Sequence, residues 1–251
     1  MQKPYIGITD FMTADQAQQM LTIFERVGGA ELGRRLMVGV MMSYKTLNGL
    51  PTKWSDAFPA KELVRDIFVD HPLALNTLHY ADYDTINVTE SIEQATLFGG
   101  PNMHAIQLDM IWPDPEVVIE YRERHPDIKV VVQGNQKAIE AVDGKPLEFV
   151  ARLRAYGDAI DYVLLDKSMG KGLGMDAMGL RVFAWTVRER FPLLGIVAAG
   201  GLGPDTLNLV EPLAREFPNI SIDAQGKLRP SGSALDPIDW KMAAKYIVRA
   251  V

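Results

Sequence analysis

The chain has 251 residues, of which 47% are hydrophobic and 23% charged, a composition typical of a globular protein with one sizeable core. Its formal net charge of -6 argues against nucleic acid and anionic membranes as partners. The absence of cysteine excludes disulfides, thiolate catalysis and cysteine-ligated metals. No apolar run approaches the roughly 18 residues of a membrane span, and Met1–Ile6 is too polar for a signal peptide. We expect a cytoplasmic monomer or homodimer.

Strand-like segments occur at intervals along the whole chain, and helix-like segments lie between them. The strand-like segments are short, apolar and mostly β-branched, which is typical of strands buried on both faces. They are Tyr5–Thr9, Leu36–Met42, Ala74–His79, Ala105–Asp109, Lys129–Gln133, Tyr162–Asp166, Gly195–Ala199 and Ile220–Asp223. This alternation predicts an α/β protein with a closed parallel barrel, the TIM (β/α)8 barrel, as a single domain over residues 1–251. A doubly wound open sheet is the alternative, but its glycine-rich loop more often follows the first strand.

The helix-like segments show capping signals at several of their ends. Thr13 could cap the first helix, Gly28 and Gly29 could end it, and Thr89 could cap the third. The predicted helices are Ala14–Val27, Ala60–Phe68, Glu90–Phe98, Pro115–Arg124, Leu147–Tyr156, Asp176–Arg190, Pro204–Glu216 and Pro237–Arg249.

Two connections are longer than the usual ~2–6 residues. They are Ser43–Pro59 and Lys167–Met175, and both follow the carboxyl ends of strands, where barrel active sites are built. Loops of this kind are candidate lids, and surface insertions without function are the alternative.

Two glycine-containing loops late in the chain indicate a phosphate site. Gly200 and Gly201 follow the strand-like run Ile196–Ala199, and Pro204 to Thr206 then open a helical pattern. Such a turn exposes backbone N–H groups that can hold a phosphate. Gln225 and Gly226 repeat the pattern after the next strand. We therefore expect Gly200, Gly201, Gln225 and Gly226 to bind the phosphate of a phosphorylated small-molecule substrate.

Four carboxylates stand at or just past strand ends, where a barrel places its catalytic groups. Asp166 follows four apolar residues and is the strongest candidate for proton transfer, followed by Asp109 and Asp10, with Asp82 weaker. Helix caps and salt bridges are the alternative roles for these groups, and a cap of the first helix is a specific alternative for Asp10.

One histidine, His79, ends the third strand-like segment and could act as a general base or a substrate ligand. A packed or capping role is its alternative. No spacing of histidines and carboxylates indicates a metal site, so we expect no metal and no cofactor.

The order of these motifs resembles that of phosphoribosylanthranilate isomerase, a family of ribulose-phosphate-binding barrels. The similar pieces are Pro4–Thr9, Ile106–Asp109, Leu164–Asp166 with Gly172–Asp176, Gly200–Thr206, and Ala224–Gly226 with Pro230–Asp236. The resemblance implies an isomerase of tryptophan biosynthesis in which Gly200, Gly201 and Gly226 hold the phosphate. It also implies that Asp166 acts as the general acid in an Amadori rearrangement.

Two departures from the family pattern fall on its reactive residues. The cysteine that acts as the family's base falls at Ile6, and the arginine that meets the anthranilate carboxylate falls near Asn48. Lys45 or Arg229 could replace the arginine as substrate-binding cations. Losing a general base typically costs about 10²–10⁴-fold in rate.

Three functions remain open at this point. The first is a phosphosugar isomerase in which Asp10 or Asp109 replaces the cysteine. The second is an aldolase or lyase that forms a Schiff base on Lys167 or Lys171. The third is a barrel that binds a phosphometabolite without turnover.

Overall fold

Eight parallel strands close into a barrel in which each strand pairs with the next along the chain and the last pairs with the first. The structure is a computed structural model that describes residues 1–166 and 176–251. The strands are β1 (Tyr5–Thr9), β2 (Arg35–Ser43), β3 (Ala74–Ala81), β4 (Ala105–Asp109), β5 (Lys129–Asn135), β6 (Tyr162–Asp166), β7 (Gly195–Ala199) and β8 (Ser221–Ala224). The predicted (β/α)8 barrel is thereby confirmed.

Side chains along each strand alternate between the inside of the barrel and the layer beneath the helices. On β1, Tyr5 lies in the inner cluster, whereas Ile6 and Ile8 pack in the outer one. Apolar side chains from seven strands form the inner cluster: Tyr5, Met37, Leu75, Ala105, Val131, Tyr162, Leu164, Val197 and Ala199. Because most of these residues stand early in their strands, the inward positions that follow are free to carry polar groups at the carboxyl ends.

Helices cover the outside of the barrel and bury the outer core between themselves and the strands. They are α1 (Ala14–Arg26), α2 (Tyr44–Leu47), α3 (Val64–Ile67), α4 (Val88–Gly99), α5 (Pro115–Arg124), α6 (Gln136–Glu140), α7 (Pro146–Arg154), α8 (Ala177–Arg190), α9 (Glu211–Glu216) and α10 (Trp240–Ala250). Within the described ranges, no helix is long and apolar enough to cross a membrane.

Two predicted helices are wrong in extent. Pro204 does not open a helix, because the segment after β7 forms only the 3-10 turn Leu207–Leu209 before α9. The second helix is likewise reduced to the 3-10 turn Lys61–Leu63 followed by the single turn of α3. A proline at or just before the first helical position permits a helix, as at the start of α5 and α7, but it does not by itself produce one.

The predicted cap of α1 is confirmed and that of α4 is wrong. Thr13 and Gln16 form a capping box at the start of α1, so Asp10 does not cap this helix. Asn87 precedes α4 in the left-handed region with φ of 49°, which places Thr89 inside the helix. The loop before α4 is therefore shaped by its own turn residues.

Candidate active site

A cavity of about 700 Å³ opens at the carboxyl ends of the strands. All eight strands contribute to its wall, and the loops after β2, β3, β7 and β8 form its rim. The inward residues of the wall are Thr9, Met41, Ser43, His79, Ala81, Gln107, Asp109, Gln133, Asn135, Leu164, Asp166, Ala199 and Asp223. Barrel enzymes build their catalytic sites at this end of the fold.

Asp109 ends β4 and lies on the wall of the cavity, as the sequence indicated. The hydroxyl of Tyr83 donates a hydrogen bond of 2.6 Å to its Oδ1, and its Oδ2 lies 3.9 Å from His79 Nε2. Burial raises the pKa of Asp109 to about 6, with the hydrogen bond from Tyr83 opposing this rise and the charge of Asp166 adding to it. A carboxyl with this pKa can exchange protons near neutral pH.

Asp223 on β8 is a second inward carboxyl, and it was not among the sequence candidates. Its side chain is 7% exposed, and Thr9 Oγ1 donates to its Oδ1 at 3.4 Å. Burial raises its pKa to about 7, opposed by hydrogen bonds from Thr9 and the Ala224 backbone and assisted by the charges of Asp10 and Asp166. Its pKa is therefore well suited to general acid–base catalysis.

Glycine at position 7 provides the space that Asp223 occupies. A Cβ atom built on Gly7 would lie 2.6 Å from Asp223 Oδ1 and 2.8 Å from Met37 Cε. Gly7 pairs directly with Asp223 across the β1–β8 ladder. The carboxyl group of β8 therefore fills the interior beside β1.

Ile6, the position at which the resemblance places the family's cysteine, does not reach the cavity. Its side chain belongs to the outer core, between the barrel and the helices. The inward residues of β1 are Tyr5, Gly7 and Thr9, and none of them titrates near neutral pH. β1 therefore presents no side chain to the cavity that could act as a base near neutral pH.

Asp166 ends β6 and lines the cavity. Its charge raises the pKa values of both Asp109 and Asp223. The charge of Asp166 therefore opposes ionisation of both Asp109 and Asp223. The segment that follows, which contains Lys167 and Lys171, lies outside the described residues.

His79 lies on β3 in a belt of amide side chains. Gln133 Nε2 lies 2.9 Å and Gln107 Nε2 lies 3.1 Å from His79 Nε2. Burial lowers the pKa of His79 to about 4, against a small opposing effect from Asp10. The imidazole is therefore neutral at pH 7, and its contact with Asp109 is not an ion pair at that pH.

The glycine loops after β7 and β8 line the cavity side by side. Gly200 and Gly201 adopt φ values of 100° and 68°, a region that side chains disfavour. A Cβ atom on Gly203 would lie 2.7 Å from the carbonyl oxygen of Lys227, so the two loops are in close contact. Gly226 begins the 3-10 turn Gly226–Leu228. The four predicted phosphate ligands, Gly200, Gly201, Gln225 and Gly226, all line the cavity.

Three lysines at the rim supply positive charge. Lys45 lines the cavity as the sequence suggested, and Lys53 and Lys227 do so as well. Lys53 Nζ lies 4.9 Å from the ring centroid of Trp54, which stacks on Phe58. The loop after β2 thus presents cations and aromatic faces to the cavity.

Asp10 and Arg229 lie together beneath this rim instead of on the cavity wall. These residues are 5% and 4% exposed, and their side chains form an ion pair through Arg229 Nη2 and Asp10 Oδ2. Gln225 Nε2 also donates to Asp10 Oδ2, at 3.0 Å. The structure therefore places these two candidates in contact with each other and with Gln225, and neither of them lines the cavity.

Asp82 lies at the cavity as well, but its carboxylate shapes a loop. Its Oδ1 accepts hydrogen bonds from the backbone N–H groups of Asp84 and Thr85 at 3.1 and 2.9 Å. Among the residues that the structure describes, no group of three or more histidines and carboxylates is placed to hold a metal ion.

Comparison with known proteins gives structural matches only. No protein family and no curated protein matches the chain. N-(5'-phosphoribosyl)anthranilate isomerase from Pyrococcus furiosus matches with 17% identity, 98% coverage of both chains and a TM-score of 0.62. A Rubisco-like protein from Rhodopseudomonas palustris matches with 11% identity and a TM-score of 0.52, covering 98% of this chain and 62% of its own.

A third match, an endo-β1,6-glucanase, has 11% identity and a TM-score of 0.50 and covers 99% of this chain and 75% of its own. Identities this low establish the fold and leave the reaction open. The structures similar to this chain include barrels with different functions, and the match to the isomerase extends over 98% of both chains. The chain thus has the (β/α)8 fold of phosphoribosylanthranilate isomerase.

Proposed function

We propose that the protein is an isomerase that acts on a phosphorylated sugar by acid–base catalysis. The observation that carries the proposal is the placement of Asp109, Asp166 and Asp223 on the wall of one cavity that two glycine loops also line. Two of these carboxyls have pKa values raised to about 6 and about 7. Perturbed carboxyls in a cleft are the usual sign of proton-transfer chemistry.

The glycine loops supply the phosphate site in this proposal. The N–H groups of Gly201 and Leu202 donate to no acceptor within residues 1–166 and 176–251. The positive φ of Gly201 turns this backbone without a side chain in the way of a ligand. Because no helix begins directly after Gly201, the site relies on loop N–H groups, with Lys227 as a cation on the same cavity.

Asp223 is the proposed base in place of the family's cysteine. It lies inside the barrel beside Gly7 of β1, on the side where the resemblance expects the base. Its pKa of about 7 leaves a substantial fraction ionised at neutral pH, and the proton that it accepts is held well enough to be returned. Asp10, by contrast, is engaged by Arg229 and Gln225.

The reaction needs only proton transfers. Asp166 protonates the ring oxygen of the sugar, and the C1–O bond breaks to leave a cationic carbon–heteroatom double bond at C1. Asp223 removes the proton from C2, and the electron pair of that C–H bond forms a C1=C2 double bond. As that bond forms, the electron pair of the C1 double bond moves to the heteroatom and neutralises its charge. A proton then adds to C1 while the C2 hydroxyl loses its proton, which leaves a carbonyl at C2 and needs no external oxidant or reductant.

Turnover of phosphoribosylanthranilate, followed by the loss of anthranilate fluorescence, tests the proposal. Asp166→Asn and Asp223→Asn should both abolish the activity, and Asp205→Asn, at an exposed ion pair outside the cavity, should retain it. A panel of aldose and ketose phosphates extends the assay if this substrate is not consumed. No turnover of any of them would overturn the proposal, and thermal stabilisation by inorganic phosphate would then indicate a barrel that binds a phosphometabolite without turnover.

A further inference from the structure

We propose that Asp10 and Arg229 form a positioning pair that holds the loop after β8 in its phosphate-accepting shape before any ligand arrives. This inference rests on the proposed phosphate site, because the loop in question carries Gln225, Gly226 and Lys227. Neither residue of the pair lines the cavity, so the effect on a ligand is indirect.

Asp10 is the fixed member of the pair. Its backbone N–H donates to the carbonyl of Gly39 at 2.9 Å, and that of Phe11 donates to the same oxygen at 3.0 Å. These bonds attach the end of β1 to β2 and hold Asp10 at a φ of 86°. A non-glycine residue in this region is kept there only when its surroundings impose it.

Arg229 attaches the loop to this fixed point. Besides its ion pair with Asp10, Nη1 donates to the carbonyl of Gln225 at 2.9 Å, and Nε donates to the carbonyl of Asp236 at 2.5 Å. One guanidinium therefore joins the first and last residues of the segment Gln225–Asp236 to the barrel wall. Arginine suits this task because its planar group presents several donors in fixed directions.

The segment so closed is the part of the rim that reaches the ligand space. Gln225, Gly226, Lys227 and Ala234 all line the cavity. Gln225 is held twice, since its carbonyl accepts from Arg229 and its side-chain amide donates to Asp10 at 3.0 Å. Fixing a binding loop in advance lowers the entropy that ligand binding must overcome.

The burial of the pair makes it sensitive to small changes. Asp10 and Arg229 are separated by 219 positions in the chain and are almost fully removed from water. Oδ1 of Asp10 is buried without a hydrogen-bond partner in the described part of the chain, so the carboxylate depends on Oδ2 alone. A shorter cation or a neutral partner at either position should therefore release the loop.

Binding of inorganic phosphate to Asp10→Asn, Arg229→Lys and the wild type tests the inference by calorimetry. Each variant should weaken phosphate binding by about 10- to 100-fold, the scale on which a small misplacement of binding groups acts. Arg124→Lys is the matched control, because Arg124 pairs with Glu93 on the outside of the barrel, away from the cavity, and this variant should bind phosphate as the wild type does. Equal affinity in all four proteins would overturn the inference.

Two further outcomes separate this inference from the proposed function. If the wild type itself binds no phosphate, the proposed phosphate site fails and the pair has nothing to position. If a variant does not fold, amide hydrogen exchange of the wild type without phosphate tests whether the loop after β8 is ordered before ligand binds. The amides of Leu228, Arg229 and Asp236 should then exchange as slowly as those of the barrel, and exchange as fast as in the loop after β2 would contradict preorganisation.

Discussion

The two sides of the cavity are built from different parts of the polypeptide. On the side of β3 to β6, side chains do the work: His79, Gln107, Asp109, Gln133 and Asp166 project inward from strands. On the side of β7 and β8, the glycines Gly200, Gly201 and Gly226 line the cavity and present only backbone atoms to it. Asp223 lies on β8, on the second side, but it contributes a titratable side chain to the cavity as the residues of the first side do.

This difference shows how one fold separates holding a substrate from transforming it. A strand fixes the direction of a side chain through its alternation, which suits groups that must move protons between defined atoms. A glycine turn presents several N–H groups at once, which suits a phosphate that must be held. Changes to the first side should therefore affect rate, and changes to the second should affect affinity.

The largest expected effect is on turnover. Asp166→Asn and Asp223→Asn should each lower kcat by about 10²–10⁴-fold, since each removes one group that transfers a proton. Asp109→Asn removes a third inward carboxyl from the same wall and should lower kcat by a smaller factor. A variant at position 223 with wild-type kcat would place the base elsewhere.

The next effect is on stability as a function of pH. The pKa of Asp223 is raised from an ordinary value of 3.8 to about 7, so the folded state binds its proton more tightly than the unfolded state does. Its contribution to stability is complete below pH 4 and is lost as the pH rises through about 7. Each pKa unit corresponds to about 1.4 kcal/mol, so the total reaches a few kcal/mol.

Urea unfolding at pH 5 and pH 8 measures this effect. The free energy of unfolding of the wild type should decrease between these two values, and that of Asp223→Asn should decrease by less. Asp109 remains in the variant with a pKa of about 6 and accounts for part of the remaining decrease. The same decrease in both proteins would show that Asp223 is not protonated in the folded state.

A smaller loss of stability should follow from filling the space beside Asp223. Gly7→Ala places a methyl group against Asp223 Oδ1 and Met37 Cε, and such overpacking typically costs about 1–3 kcal/mol. Thermal unfolding measures the loss. Equal stability of Gly7→Ala and the wild type would mean that Asp223 and Met37 rearrange to accommodate the methyl group.

The affinity for phosphate should fall when the backbone of the loop after β7 is altered. Gly201→Ala forces a side chain onto a φ of 68° and should weaken phosphate binding by about 10-fold through a strain of ~1–2 kcal/mol. Gly232→Ala is the matched control, because its φ of 71° is similar but it does not line the cavity. If both variants bind phosphate alike, the loop after β7 is not a ligand of the phosphate.

The smallest effect concerns Tyr83. Its hydroxyl lowers the pKa of Asp109, so Tyr83→Phe should raise that pKa above its value of about 6 by less than ~1 unit. Carboxyl carbon NMR during a pH titration detects the change, and Tyr44→Phe serves as a control at the same rim. A lowered pKa would contradict the role of this hydrogen bond.

The barrel itself could be predicted from the sequence, because strands buried on both faces form distinct apolar runs such as Ile196–Ala199. The position of Asp109, Asp166, His79 and the glycines at the cavity could likewise be predicted, since strand ends and glycine pairs are visible locally. Asp223 was missed although it ends a predicted strand. The alternation Ser221, Ile222, Asp223 was the signal that places its side chain inside.

Contacts between distant segments could not be predicted. Asp10 and Arg229 each look like isolated charges at the mouth, and only the closure of the barrel between β1 and β8 brings them together. Tyr83 reaches Asp109 through a loop shaped by Asp82 and by the left-handed Thr85 and Asn87. Such loops lack the periodicity on which sequence interpretation depends.

The central claim is that inward carboxyls move a carbon-bound proton of a phosphorylated sugar. Proton NMR in D2O, with the wild-type protein and phosphoribosylanthranilate or an aldose phosphate, tests it most directly, because it detects exchange at the carbon next to C1. The account predicts loss of the C2 proton signal with the wild type and retention of that signal with Asp223→Asn. Retention of the signal with the wild type, while phosphate binds normally, would contradict the claim and make the protein a phosphometabolite-binding barrel.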